Sequence, residues 1–121
     1  MTQEETLAKI DQQVKNNPVV IYMKGTPNMP SCGYSSRAVQ TLIDTGERFA
    51  FVNVLADQDI FQYLPAYADW PSFPQIYVDG ELIGGCDIAI ELHVQGELLK
   101  LMKAANEKHS EQNNANSDNP A

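Results

Sequence analysis

Two rhythms of apolar residues alternate along the 121-residue chain. Leu7, Ile10 and Val14 share a helical face behind Thr2-Gln3-Glu4-Glu5, whose Thr and Glu stand at capping-box separation. Asn16-Asn17-Pro18 stops that helix, because the residue before a proline is pushed out of the α region. Val19–Met23 is apolar almost throughout, as a central strand covered on both faces should be. Val39, Leu42 and Ile43 mark a second helix running to about Asp44 and Thr45, with Gly46 suited to its C-terminal cap. Phe49–Leu55 reads as a second strand, and a helical crossover makes it parallel to the first.

Ile60, Leu64 and Tyr67 give Asp57–Tyr67 helical spacing, although Pro65 should end or kink that helix. Trp70-Pro71-Ser72-Phe73-Pro74 is too proline-rich for a regular element. Gln75–Val78 and Glu81–Ile83 flank Asp79-Gly80, a strong signal for a tight hairpin. Gly84-Gly85-Cys86-Asp87 opens another helix, with Asp87 a candidate N-cap. Beyond Gly96 a last amphipathic helix can turn Leu98, Leu99, Leu101, Met102 and Ala105 inward. From about His109 the chain is polar and Asn-rich, which predicts a domain over residues 1–108 and a disordered tail over 109–121. The predicted order is α-β-α-β-α-β-β-α-α, without internal repeats.

This length suits one domain with a modest core. A net charge of −8 argues against non-specific nucleic-acid binding. No apolar run approaches the roughly 20 residues that cross a bilayer. The N-terminus lacks the basic-then-apolar order of a secretory signal, and two cysteines are too few for a secreted disulfide scaffold. A reducing cytoplasm is the expected location.

Candidate chemistry concentrates in Lys24–Ser35, KGTPNMPSCGYS, between the first strand and the second helix. Cys32 stands where that helix begins, so its thiolate faces unpaired N–H groups and the positive end of the helix dipole. Lys24, leaving the strand, can fold back towards the same sulfur. Both effects favour the thiolate. Redox motifs of the C-x-x-C kind place a resolving thiol three residues on, where this chain has Ser35. A hydroxyl closes no disulfide, so Cys32 either awaits an outside thiol or serves as a metal ligand. The plain alternative is a small packed cysteine.

Residues 1 to about 108 resemble the monothiol glutaredoxins, a branch of the thioredoxin fold, through KGTPNMPSCGYS and WPSFPQIYVDGELIGGCD. The family's CGFS motif is CGYS here, with Tyr34 in place of the usual Phe. The resemblance implies an α/β fold: a four-stranded mixed sheet flanked by helices, with an extra N-terminal helix. It also implies a glutathione groove beside the thiol. Lys24 would approach the glycyl carboxylate of glutathione. A cis Phe73–Pro74 bond would turn the Phe73 backbone to pair with the glutathione cysteine. Cys86 and Asp87 would hold the γ-glutamyl end, with Gly84 and Gly85 allowing close approach. An Arg that helps clamp the glycyl carboxylate in the family is Phe61 here, so that anchor is missing, and Gln62 could offer a neutral hydrogen bond instead.

Each residue has a plainer reading beside this one. Lys24 can be a solvated strand end, Asp87 a helix cap, Phe73 core, and Cys86 a packed residue lending its backbone. Trp70 and Pro71 fit either loop packing or a protomer interface. His93 and His109 lack zinc-ligand spacing with either cysteine.

Two functions compete. The first is a homodimer carrying one [2Fe–2S] cluster, ligated by Cys32 and one glutathione per chain, for delivery to iron–sulfur client proteins. The second is a glutathione-dependent thiol–disulfide oxidoreductase acting through a Cys32 mixed disulfide. The resemblance and the long loop before Cys32 favour the carrier, with the enzyme activity weak or secondary. The resemblance also suggests BolA-like partners.

Overall fold

The computed structural model describes the backbone of residues 1–117 and the side chains of residues 1–112. Its elements are α1 (Gln3–Asn16), β1 (Val19–Met23), α2 (Gly33–Asp44), β2 (Ala50–Asn53), α3 (Gln58–Ala68), β3 (Gln75–Val78), β4 (Glu81–Gly84), α4 (Cys86–Val94) and α5 (Glu97–Ser117). The sheet runs β2-β1-β3-β4, with β1 parallel to β2 and antiparallel to β3. This is the expected mixed sheet of four strands with the additional N-terminal helix.

β1 is central, and all five of its residues are buried. Its alternate side chains feed two cores. Val19, Ile21 and Met23 pack with Val39 and Leu42 of α2, Ala89 of α4 and Leu98 and Met102 of α5. Val20 and Tyr22 pack with Ile10 and Val14 of α1 and Ile60 and Leu64 of α3. Helices therefore cover both faces, and the C-terminal end of β1 emerges between them carrying Lys24.

Local signals account for most boundaries. The Thr2–Glu5 capping box is formed at α1. Asp79 and Gly80 both take positive φ, +52° and +82°, as a two-residue hairpin turn with the right twist requires.

Several expectations are corrected. β2 is shorter than Phe49–Leu55, ending at Asn53, whose side chain accepts from the Leu55 N–H at 3.0 Å and starts a 3₁₀ turn over Val54–Ala56. Pro65 does not end α3, which continues to Ala68 and closes with Asp69 in the left-handed region. The proline withholds a single N–H late in the helix, and the Pro65 carbonyl accepts from Trp70 at 3.1 Å. In α5, Leu98, Met102 and Ala105 are buried, whereas Leu99 and Leu101 lie off that stripe and are exposed. The N-cap of α4 is Gly85, so Asp87 lies inside the first turn.

The α5 backbone is helical past His109 to Ser117, within the stretch that the sequence marks as a polar tail. Extending a formed helix costs little, and His109 and Ser110 remain half-buried beside Asn17, Pro18 and Phe49. Residues 118–121 of that expected tail lie outside the described residues.

Candidate functional site

Three chain segments converge at the C-terminal end of β1: the loop Lys24–Cys32, the loop Trp70–Pro74, and the start of α4. The first is tied at both ends. The Ser31 N–H donates to the Lys24 carbonyl at 2.9 Å, and Thr26 and Met29 exchange backbone hydrogen bonds. Gly25 sits in this closure at φ +94°, where a Cβ would lie 2.5 Å from the Met29 carbonyl oxygen. Its N–H donates to the Asn53 side chain at 2.9 Å, anchoring the loop to the end of β2.

Cys32 is the N-cap of α2 and is half-buried. Its thiol is held below its ordinary pKa by the backbone N–H of Ser35, assisted by that of Tyr34, by the Lys24 ammonium and by the Ser35 hydroxyl, against some desolvation. Helix start and lysine thus act on the sulfur together, as the spacing predicts. Cys86 is the opposite case. It is buried, and burial pushes its thiol upward, with the charge of Asp87 and the neighbouring Cys32 adding to the effect against Arg37.

Ser35 is fully buried, and its hydroxyl accepts from the Lys24 N–H at 3.1 Å. The residue at the resolving position therefore joins the end of β1 to the first turn of α2. Among the described residues, no three His, Cys, Asp or Glu side chains converge as a metal site within one chain.

Between α2 and α4 lies a groove of about 300 Å³ lined by Tyr34, Trp70, Ser72, Phe73, Pro74, Gly85, Cys86 and Asp87. That volume is at the small end of the range that holds small molecules. Its floor depends on close backbone approach, since a Cβ on Gly85 would lie 3.1 Å from the Pro74 carbonyl oxygen. The Phe73–Pro74 peptide is cis, as the resemblance implies. α4 has no side-chain cap, so the N–H groups of its first turn, at Cys86 and Asp87, are uncapped, and a helix start of this kind favours an anion. Asp87 is exposed at this edge, with its carboxylate available to a cation.

Phe61 does not line the groove; it packs on Phe73, ring centroids 5.4 Å apart. The Lys24 ammonium lies 5.9 Å from the Phe61 centroid. Gln62 is exposed next to it. The structure thus brings together Cys32, Lys24, Phe61, Phe73, Pro74, Cys86 and Asp87, and leaves Gln62 at the periphery.

Sequence reading missed three supports of the site. Asn53 ties the loop to β2, and the signal was a lone amide inside an apolar strand. Gln75 is fully buried and donates to the Trp70 carbonyl at 3.1 Å and the Ser72 carbonyl at 3.3 Å, fastening the proline-rich loop. The Arg37 guanidinium lies 5.4 Å from the Tyr34 ring centroid, and a cation five residues after Cys32 was the available cue.

The glutaredoxin family model matches residues 19–83. Glutaredoxin 4 of Escherichia coli (strain K12) is 54% identical over 104 residues, 86% of this chain and 90% of that protein. Glutaredoxin 4 of Haemophilus ducreyi is 50% identical over 105 residues, 87% of this chain and 98% of that protein. Among solved structures, a buckwheat glutaredoxin–glutathione complex superposes with a TM-score of 0.76 at 27% identity, covering 86% of this chain and 93% of that one. With Ser35 where a second thiol would stand, the chain belongs to the glutaredoxin family, in its monothiol branch.

Proposed function

We propose that this monothiol glutaredoxin binds glutathione in the groove beside Cys32 and carries a [2Fe–2S] cluster between two copies of the chain. The observation that carries the reading is the pairing of a half-buried, acidified Cys32 with a buried Ser35 at the resolving position. A thiolate with no resolving thiol in its own motif remains available as a ligand. The cluster requires four thiolates. Cys86 is buried with a raised pKa, so each chain brings one, and one glutathione per chain supplies the rest.

In this reading the Lys24 ammonium meets the glycyl carboxylate. The Phe73 backbone pairs with the glutathione cysteine in an extended arrangement. The free N–H groups at the start of α4 take the γ-glutamyl carboxylate, while Asp87 accepts from its ammonium. Pro74, Gly84 and Gly85 shape the approach. The cluster is cargo, received from an assembly system and passed to iron–sulfur client proteins in the cytoplasm, with BolA-like proteins as further partners.

A second reading is glutathione-dependent reduction of mixed disulfides. The acidified Cys32 thiol favours it, because the thiolate is the attacking species. Anaerobic reconstitution with iron, sulfide and glutathione separates the two. Visible cluster absorption that disappears when glutathione is omitted is the expected result. A colourless protein that turns over glutathione disulfide rapidly would favour the enzyme and overturn the carrier.

A further inference from the structure

Lys24 has no carboxylate within salt-bridge distance among the described residues, although the chain is strongly acidic. Its ammonium instead lies 5.9 Å from the Phe61 ring centroid, within the range of a cation–π contact. That ring is not free to wander. It packs against Phe73 at 5.4 Å with an interplanar angle of 36°. It also stands in the first turns of α3, whose start is held by Asp57, capping Ile60 at 3.1 Å and paired with Lys9 at 2.9 Å. Phe61 thus joins the lysine to the loop that carries Phe73 while staying 41% exposed.

We propose that Phe61 is a positioning and specificity-determining residue: its ring holds the Lys24 ammonium where a glutathionyl ligand presents its glycine-end carboxylate. This rests on the glutathione reading above and extends it. A carboxylate reaching Lys24 meets a cation backed by an aromatic face. Discrimination for a charged glycine end therefore depends on both members of the Lys24–Phe61 pair. The ring contributes nothing to that discrimination once the ammonium is gone.

The test is the equilibrium of adduct formation. The Cys32 thiolate attacks one sulfur of glutathione disulfide, the ligand's S–S bond breaks, a Cys32–glutathione disulfide forms, and one glutathione thiolate leaves. Intact-mass measurement gives the equilibrium constant for glutathione disulfide and for the disulfide of glutathione glycyl ethyl ester, whose glycine end is uncharged. The ratio of the two constants reads discrimination at that end and cancels the reactivity of Cys32. Phe61→Leu should lower the ratio about two- to fivefold, the scale of an exposed cation–π contact, and Phe61→Trp should restore it. In a Lys24→Met background the ratio should be low and insensitive to Phe61→Leu. A ratio unchanged by Phe61→Leu, or lowered equally with and without Lys24, overturns the inference while leaving glutathione binding intact. Failure of the wild-type protein to form the adduct overturns the glutathione reading itself, and this inference with it.

Discussion

At the scale of single residues, the two cysteines have opposite surroundings and are assigned different work. Cys32 stands at the N-cap position of a helix, feels the charge of Lys24, and has its thiol held down chiefly by the N–H group of Ser35, assisted by that of Tyr34. Cys86 is buried with its thiol pushed up by that burial. A thiol with a lowered pKa becomes nucleophilic at lower pH. The iodoacetamide reaction of Cys32 should therefore rise through a midpoint below the roughly 8.5 of free cysteine, and Cys86 should react only above it. Peptide mapping across pH checks this, and co-titration of the two would contradict it. Under reconstitution, Cys32→Ser should abolish cluster absorption, whereas Cys86→Ser should retain most of it. Equal loss in both variants would reverse the division of labour.

Chain order made Cys32 and the absent resolving thiol legible because both are local facts: a loop, a helix start and a three-residue spacing. The Lys24–Phe61 contact was not, since those residues meet only after α3 packs beside β1. Sequence reading registered Phe61 as a lost anchor; the fold shows a ring already engaged with Lys24 and Phe73.

At the scale of elements, α3 matters because it presents Phe61. Its first turn is set by the Asp57 carboxylate, which accepts from the Ile60 N–H and binds Lys9 of α1. Lys9 is the main cause holding the Asp57 carboxyl below its ordinary value. A depressed folded pKa gives stability that is complete above the unfolded carboxyl value, about 3.9, and lost as pH falls through the folded one. Lys9→Met should cost under about 1 kcal/mol at neutral pH, since the pair is partly exposed, and almost nothing in strong acid. Asp57→Ala also removes the cap and should cost about 0.5–2 kcal/mol. Urea unfolding at neutral and acidic pH measures both; a Lys9→Met deficit that persists undiminished in acid would contradict the assignment.

Element identity was largely legible, and phase was less so. β1 and the Asp79-Gly80 hairpin follow from local period and turn chemistry. In α5, counting apolar residues put Leu99 and Leu101 inside, but only the stripe through Leu98, Met102 and Ala105 meets the sheet. Pro65 looks like a helix end in the sequence because propensity there is read without its context. The packed face of α3 outweighs that signal.

At the scale of the whole molecule, coordination arithmetic and charge oppose each other. In the proposed carrier, one chain and its glutathione would complete half of the ligand set, so a cluster would have to bridge two chains or a chain and another ligand-bearing partner. A net charge of −8 resists pairing of the empty protein, although salt screens repulsion beyond about 8–10 Å. The apo protein is therefore expected to be monomeric, with dimerisation driven by the cluster and raised by free glutathione through mass action. Sedimentation velocity of apo and reconstituted protein, with and without added glutathione and followed at the cluster absorption, tests this most directly. The expected result is colour travelling only with a dimer whose fraction rises with glutathione; a cluster-loaded species that stays monomeric at every concentration would contradict it.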